Sequence, residues 1–283
     1  MTTAPLLRVA ALGIGPYRIS SDELRDEAER GIRDLSGHSV GLVLLPELFA
    51  LPFYAADEPG RWAHVGEDLD GPTCNWAQRL ATGTGTAIVF GMALADAAGK
   101  PPANAVVLAA PGAAPVVVQR KVHLAPAAGE PFGEADHFTA GPARLNSFDY
   151  RGARFCPLVC YDRRYPECWR SAGREGADVA LVLVGGPTAD PPGLFEAELR
   201  THARANALYA LAACRFGRED VAGRPQRHAG ETGAFGPDGA VIPTDGRSVL
   251  LDLDPAQLAA AREHNPTHRT LRLNEQASER AYA

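Results

Sequence analysis

The sequence has almost no lysine: of its 28 basic residues only Lys100 and Lys121 are lysines, and all the others are arginine. A chain this biased uses arginine wherever any cation will serve, which marks the two exceptions. It has no basic run either, and its formal net charge is -6 with a pI near 5.8. Phosphate backbones demand a surplus of cations on one face, so no nucleic-acid partner is expected. Long apolar runs are missing too. Glu47 interrupts the stretch 41–53 and Gly185 ends 179–184, well short of the roughly 20 residues that cross a bilayer. Arg8 breaks the apolar stretch near the start and no small-residue cleavage site follows a basic leader, so no signal peptide is expected. The expectation is a soluble, cytoplasmic protein that meets no membrane. The five cysteines, Cys74, Cys156, Cys160, Cys168 and Cys214, are odd in number and lack metal-ligand spacing. That argues for free thiols in a reducing compartment and against a disulfide framework or a metal site.

What is present is an ordinary globular balance, 46% hydrophobic and 22% charged over 283 residues, enough to bury a large core. Short apolar, β-branched runs at 6–12, 41–45, 86–94, 104–110, 115–118, 154–160, 179–184 and 208–214 read as strands buried on both faces. Helical spacing occupies 22–35, 74–81, 166–175 and 194–208, with Ser21 as the expected N-cap of the first and Gly176 as the stop of the third. Strands are also expected at 231–237, 240–243 and 248–253, and a helix at 255–264. Interleaved strands and helices define an α/β protein. Without a repeat or linker, 1–283 reads as a single domain, with the polar stretch 265–283 as an arm that folds against a partner subunit.

Three reactive residues stand where apolar strands end. Glu47 closes Gly-Leu-Val-Leu-Leu-Pro-Glu, Lys121 follows Val-Val-Val-Gln-Arg, and Cys160 closes Arg-Phe-Cys-Pro-Leu-Val-Cys. Such ends converge on one edge of an open α/β sheet. Singly, each has a bland reading: a solvated or capping glutamate, a strand-end charge, a small core thiol. Lys121 resists its bland reading, because this chain would put arginine at an indifferent site, whereas a compact ammonium fits a small pocket. Together they are chemically complementary. A carboxylate can take the thiol's proton and later pass it to departing ammonia. A nearby ammonium and the amides of a following helix are expected to lower the thiol's pKa. The stretch Tyr161-Asp162-Arg163-Arg164-Tyr165-Pro166-Glu167 reads as a sharp turn into that helix, with Pro166 in its first turn.

These motifs, Leu45-Pro46-Glu47, Arg120-Lys121-Val122-His123-Leu124 and Cys160 through Glu167, resemble those of the nitrilase superfamily, carbon–nitrogen hydrolases with a Glu-Lys-Cys triad. Lesser matches at Asn104, Glu134 ahead of Phe138 and Gly141, 176–178, 204–207 and 237–239 carry the resemblance over nearly the whole chain. It implies a four-layer αββα sandwich assembled as a homodimer or larger homo-oligomer. It also implies that Glu134, otherwise an unremarked loop acid, orients Lys121 and the base. Within the superfamily, the cysteine motif and the stretch 186–192 are most similar to N-carbamoyl amino acid amidohydrolases. In those enzymes an arginine just past the cysteine holds the substrate carboxylate, a role for which Arg163 and Arg164 are the candidates; Arg163 has the better claim, since Arg164 also reads as pairing with an acid to hold the turn. Two positions depart from that group: Gly185 stands where it has asparagine and Ala127 where it has histidine.

The function expected is hydrolysis of a small linear amide or N-carbamoyl compound carrying a carboxylate. Cys160 is the nucleophile, Glu47 the base, and Lys121 and the backbone N–H of Tyr161 hold the oxyanion of a thioester-forming reaction. No metal or organic cofactor is required. The alternatives are an ω-amidase for dicarboxylic acid monoamides, using the same residues, and a catalytically silent scaffold that keeps the sandwich. A nitrile substrate gives no reason for the paired arginines.

Overall fold

Strands that are apolar on both sides need a partner layer on each face, and that requirement builds the architecture. The computed structural model describes residues 7–62, 64–97, 99–186, 190–270 and 272. The first half supplies β1 (Leu7–Leu12), β2 (Leu42–Leu44), β3 (Ala87–Leu94), β4 (Ala103–Ala109) and β5 (Val116–Arg120). The second half supplies β6 (Phe148–Tyr150), β7 (Ala153–Val159), β8 (Val179–Val184), β9 (Tyr209–Cys214), β10 (Phe216–Val221), β11 (Arg224–Ala229), β12 (Gly233–Phe235), β13 (Val241–Ile242) and β14 (Ser248–Leu253). One six-stranded sheet has the order β14-β1-β2-β3-β4-β5, the other β13-β12-β9-β8-β7-β6, and β10 and β11 form a separate hairpin. The helices are α1 (Ser21–Ser36), the single turn α2 (Pro59–Trp62), α3 (Pro72–Thr84), α4 (Pro166–Arg174), α5 (Leu194–Asn206) and α6 (Pro255–His264).

Successive side chains of a strand point to opposite faces, and here each face meets a different layer. Ala10, Val43 and Ile88 of the first sheet pack under Leu24 and Ile32 of α1 and Leu80 of α3. Their neighbours Val9, Leu42, Leu44 and Val89 turn the other way, against Phe155, Val179, Leu181 and Leu211 of the second sheet. On the far side, Leu158, Ala180 and Val182 are covered by Trp169 of α4 and Leu199 and Ala203 of α5. The layers are helix, sheet, sheet, helix, as the resemblance implied.

The structure differs from the sequence expectations in detail. The cap of α1 is Ser20, one residue earlier than expected, its hydroxyl accepting from the Glu23 N–H at 3.3 Å. The hairpin β10–β11 was not anticipated, because Phe-Gly-Arg-Glu-Asp-Val and Arg-Pro-Gln-Arg-His-Ala carry no apolar alternation. Their inward face is built from Glu219, Gln226 and His228, all buried. At the C-terminus, Asn265 and Thr267 donate side-chain hydrogen bonds to the carbonyls of Arg204 and Ala205. Residue 271 and residues 273–283 of the expected arm lie outside the described residues. Among the described residues no helix is long and apolar enough to cross a membrane.

Candidate active site

Topology brings the reactive residues to one place. β2 and β3 run parallel, so Glu47, three residues past β2, lies at their carboxyl edge. β4 runs back against β3 and β5 against β4. The end of β5 therefore returns to that edge with Lys121, and the beginning of β4 presents Asn104 there. The second sheet delivers Cys160 directly after β7 and Gly185 directly after β8.

The centre is a buried chain of charges. Lys121 Nζ lies 2.8 Å from Glu47 Oε1 and 2.6 Å from Glu134 Oε2, with the three side chains 1%, 2% and 0% exposed. Asn104 Nδ2 donates to both carboxylates at 2.7 Å. The Gly185 N–H donates to Glu47 Oε2 at 3.0 Å and the Ala125 N–H to Glu134 Oε2 at 2.8 Å. Both carboxylates repel, yet one ammonium and one amide bridge them, which is how buried charges are tolerated. The Lys121 ammonium holds its proton well above the ordinary lysine range, because the attraction of Glu134 and Glu47 overcomes a larger burial effect in the opposite direction. Glu134 is raised above the usual carboxylate range, chiefly by burial and against the pull of Lys121.

Two glycines make room for the base. A Cβ on Gly91 would meet Glu47 Cα at 2.6 Å, and one on Gly185 would meet the Glu47 carbonyl oxygen at 2.5 Å. No side chain fits at 185 while Glu47 keeps its place.

Cys160 sits at φ 45, in the left-handed region that costs a non-glycine residue about 1–2 kcal/mol. The Asp162 carboxylate holds this elbow, accepting from the N–H groups of Val159 at 3.3 Å and His123 at 2.8 Å, with the His123 ring Nδ1 also at 2.8 Å. The elbow is thus tied to the segment that follows Lys121. A 3-10 turn spans Cys160–Arg164 before α4 begins with Pro166, so Arg163 and Arg164 precede the helix and do not open it. The expected fall in the thiol's pKa is not found. Burial, then the Glu47 carboxylate, push Cys160 up to about 12, outweighing Lys121 and Arg163. At rest the thiol is neutral, and it needs a base.

Glu47, Lys121, Cys160, Tyr161, Arg163 and Arg164 all line one cavity of about 380 Å³, a size suited to a small ligand. The two arginines enter it already engaged. Arg163 donates to Glu198 at 2.6 Å and Asp190 at 3.0 Å and lies over the Phe195 ring, and Arg164 donates to Asp190 at 2.6 Å. Glu231 also lies in the field of Arg163, and that guanidinium already has acidic partners close by. This counts against Arg163 as the holder of a substrate carboxylate. Arg164, the other arginine expected at the substrate, is likewise engaged, by Asp190. Ala127 lines the same cavity, as do Phe53 and Tyr54 and residues 226, 227 and 229–231 in and after the hairpin. Asn104 was visible only as a lesser motif match, and the hairpin gave no signal at all.

Residues 8–262 match the carbon–nitrogen hydrolase family. The chain is 30% identical over 244 residues to "Hydrolase in pqqF 5'region" of Pseudomonas protegens, covering 84% of this chain and 77% of that protein. It is 29% identical over 238 residues to omega-amidase YafV of Escherichia coli K12, covering 83% and 84%. A carbon-nitrogen hydrolase from Helicobacter pylori shares the fold, with a TM-score of 0.81 at 20% identity over 94% of this chain and 96% of that one. Because the family match runs from β1 into α6 and takes in the whole buried cluster and its cysteine, this chain belongs to the carbon–nitrogen hydrolase family.

Proposed function

We propose that the enzyme hydrolyses a small linear monoamide through a thioester on Cys160. The observation that carries this reading is the Glu47–Lys121–Glu134 chain, buried yet opening on the same cavity as the neutral thiol. Glu47 Oε1 is occupied by Lys121 and Asn104, whereas Oε2 holds one backbone N–H, so Oε2 is the atom that receives the thiol proton. The sulfur adds to the amide carbon, and Lys121 and the Tyr161 N–H stabilise the oxyanion, each such donor being worth roughly 10²–10³ in rate. The C–N bond breaks as Glu47 returns the proton to the leaving nitrogen, and ammonia departs. Water, deprotonated by the same Glu47, then opens the thioester to give the acid and the free thiol. A thiol with a pKa near 12 makes general-base assistance necessary at the moment of attack.

Between an ω-amide and an N-carbamoyl substrate, Gly185 favours the former. The carbamoylases' asparagine has no room there, with a Cβ already 2.5 Å from the Glu47 carbonyl, and the similarity to an omega-amidase points the same way. The test is ammonia release from glutaramate, succinamate, N-carbamoyl amino acids and simple aliphatic amides, with Cys160→Ala as the blank. Release from the monoamides but not the carbamoyl compounds is expected. No release from any of them would return weight to a silent scaffold.

A further inference from the structure

Four arginines line the cavity: Arg163, Arg164, Arg215 and Arg227. Three are committed. Arg163 and Arg164 face Glu198 and Asp190, and Arg215 donates to Glu219 at 2.7 Å and to the Leu51 carbonyl at 2.7 Å. Arg227 makes no ion pair among the described residues. It is also exposed, whereas Glu47 and Lys121 are buried, so it stands at the rim of the cavity and they form its floor.

The hairpin explains its position and sets no acid directly opposite it. In the β10–β11 register Arg218 lies directly opposite Arg227, and both are exposed. Facing residues of an antiparallel pair share one side of the ribbon, and like charges placed there destabilise it. Asp220 lies two residues along that side, but its carboxylate accepts from the Gly223 N–H at 2.9 Å. The opposite side of the ribbon is clamped down. Glu219 accepts from the N–H groups of Tyr17 at 2.7 Å and Phe53 at 2.8 Å as well as from Arg215, and His228 Nε2 lies 3.2 Å from it. Phe53 and Tyr54 are themselves cavity wall. The anchoring face thus fixes the ribbon over the site and leaves the Arg227 guanidinium at its mouth, with the exposed Arg218 across the ribbon from it.

We infer that Arg227, with Arg218 beside it, is the carboxylate anchor of the substrate. This rests on the amidase reading and narrows its substrate class to ω-monoamides of short dicarboxylic acids, extended with the amide at Cys160 and the carboxylate at the rim. A guanidinium can take a carboxylate through two parallel hydrogen bonds, and a bound anion between the arginines relieves their repulsion. Glu130 and Glu231 also line the cavity. Glu231 lies in the field of the Arg163 guanidinium, and the hairpin adds Arg227 to the cavity wall.

The experiment compares kcat/KM for glutaramate and for its uncharged diamide, glutaramide, on the parent and on Arg227→Gln, Arg227→Lys and Arg163→Gln, each checked for folding by its melting temperature. The parent is expected to prefer glutaramate. Arg227→Gln is expected to lower that preference by roughly ten- to a hundredfold, the size of a charge-assisted contact, through KM more than kcat. Arg227→Lys is expected to retain part of the preference. A parent that turns over neither compound defeats the amidase reading itself. A parent that turns over both without preference, or a preference that survives Arg227→Gln and disappears in Arg163→Gln, overturns the anchor while leaving that reading intact.

Discussion

Replacing Lys121 by methionine removes the ammonium that stands 2.8 Å from one buried carboxylate and 2.6 Å from another. At an effective dielectric of about 20, Coulomb's law gives roughly 6 kcal/mol for each contact at that separation. Much of this offsets the desolvation of three buried charges, but breaking a buried pair by deleting one partner still costs about 3–5 kcal/mol. Lys121→Met is therefore expected to lose stability of that order, with Glu134, already raised by burial, taking up a proton. If the loss comes from stranded charge, Glu134→Gln in the same chain removes half of it. The double variant is expected to recover about 1–3 kcal/mol relative to the sum of the singles and to recover no activity. Lys121→Arg keeps the charge but brings a planar fork to a site that is 1% exposed, and is expected to be nearly as inactive as Lys121→Met. Urea unfolding midpoints and ammonia release from glutaramate measure the two effects separately. A cost below about 1 kcal/mol for Lys121→Met, simple additivity in the double variant, or near-parent turnover in Lys121→Arg would refute the reasoning.

Three further outcomes follow from the same geometry. Alkylation of Cys160 by iodoacetamide is expected to keep rising with pH well beyond the ordinary thiol range. Glu47→Gln, by removing the second cause of the raised pKa after burial, is expected to move that profile down; a profile that did not move would show that Glu47 does not act on the thiol. Gly185→Ala places a Cβ against backbone, and since a displacement of about 1 Å costs on the order of 10² in rate, kcat is expected to fall by about that factor. Undiminished kcat in that variant would mean that the end of β8 yields and the base stays put. Arg163→Ala takes one ion-pair partner from Glu198 and one from Asp190, which keeps Arg164, and is expected to lower stability by on the order of 3 kcal/mol, with similar losses on glutaramate and glutaramide. A loss confined to glutaramate would give the substrate back to Arg163.

The strands of both central sheets except the short, half-exposed β6, and five of the helices, were legible because burial leaves apolar runs, and a helix between them shows its own period. The sequence alone also singled out Glu47, Lys121 and Cys160 as candidates, since each stands at the end of such a run and the near-absence of lysine makes Lys121 conspicuous. Other features depended on partners remote in the chain. Glu134 is an ordinary loop acid until the turn at Glu134–Asp136 folds it to 0% exposure against Lys121. Asn104 is a strand residue until two antiparallel returns set it between two carboxylates. The thiol's pKa went opposite to expectation because burial is a property of the assembled layers, while the neighbouring ammonium could be inferred from the motif. The hairpin β10–β11 was illegible for the same reason. Its inward face is held by the Arg215–Glu219–His228 cluster and by backbone N–H groups of the segments at Tyr17 and Phe53, a polar interior that leaves no hydrophobic pattern to read. Tertiary structure alone thus decided which arginines already have acidic partners and which one faces the cavity without an ion pair among the described residues, because a guanidinium's partners are set by the acids the fold brings within reach and not by its neighbours in sequence.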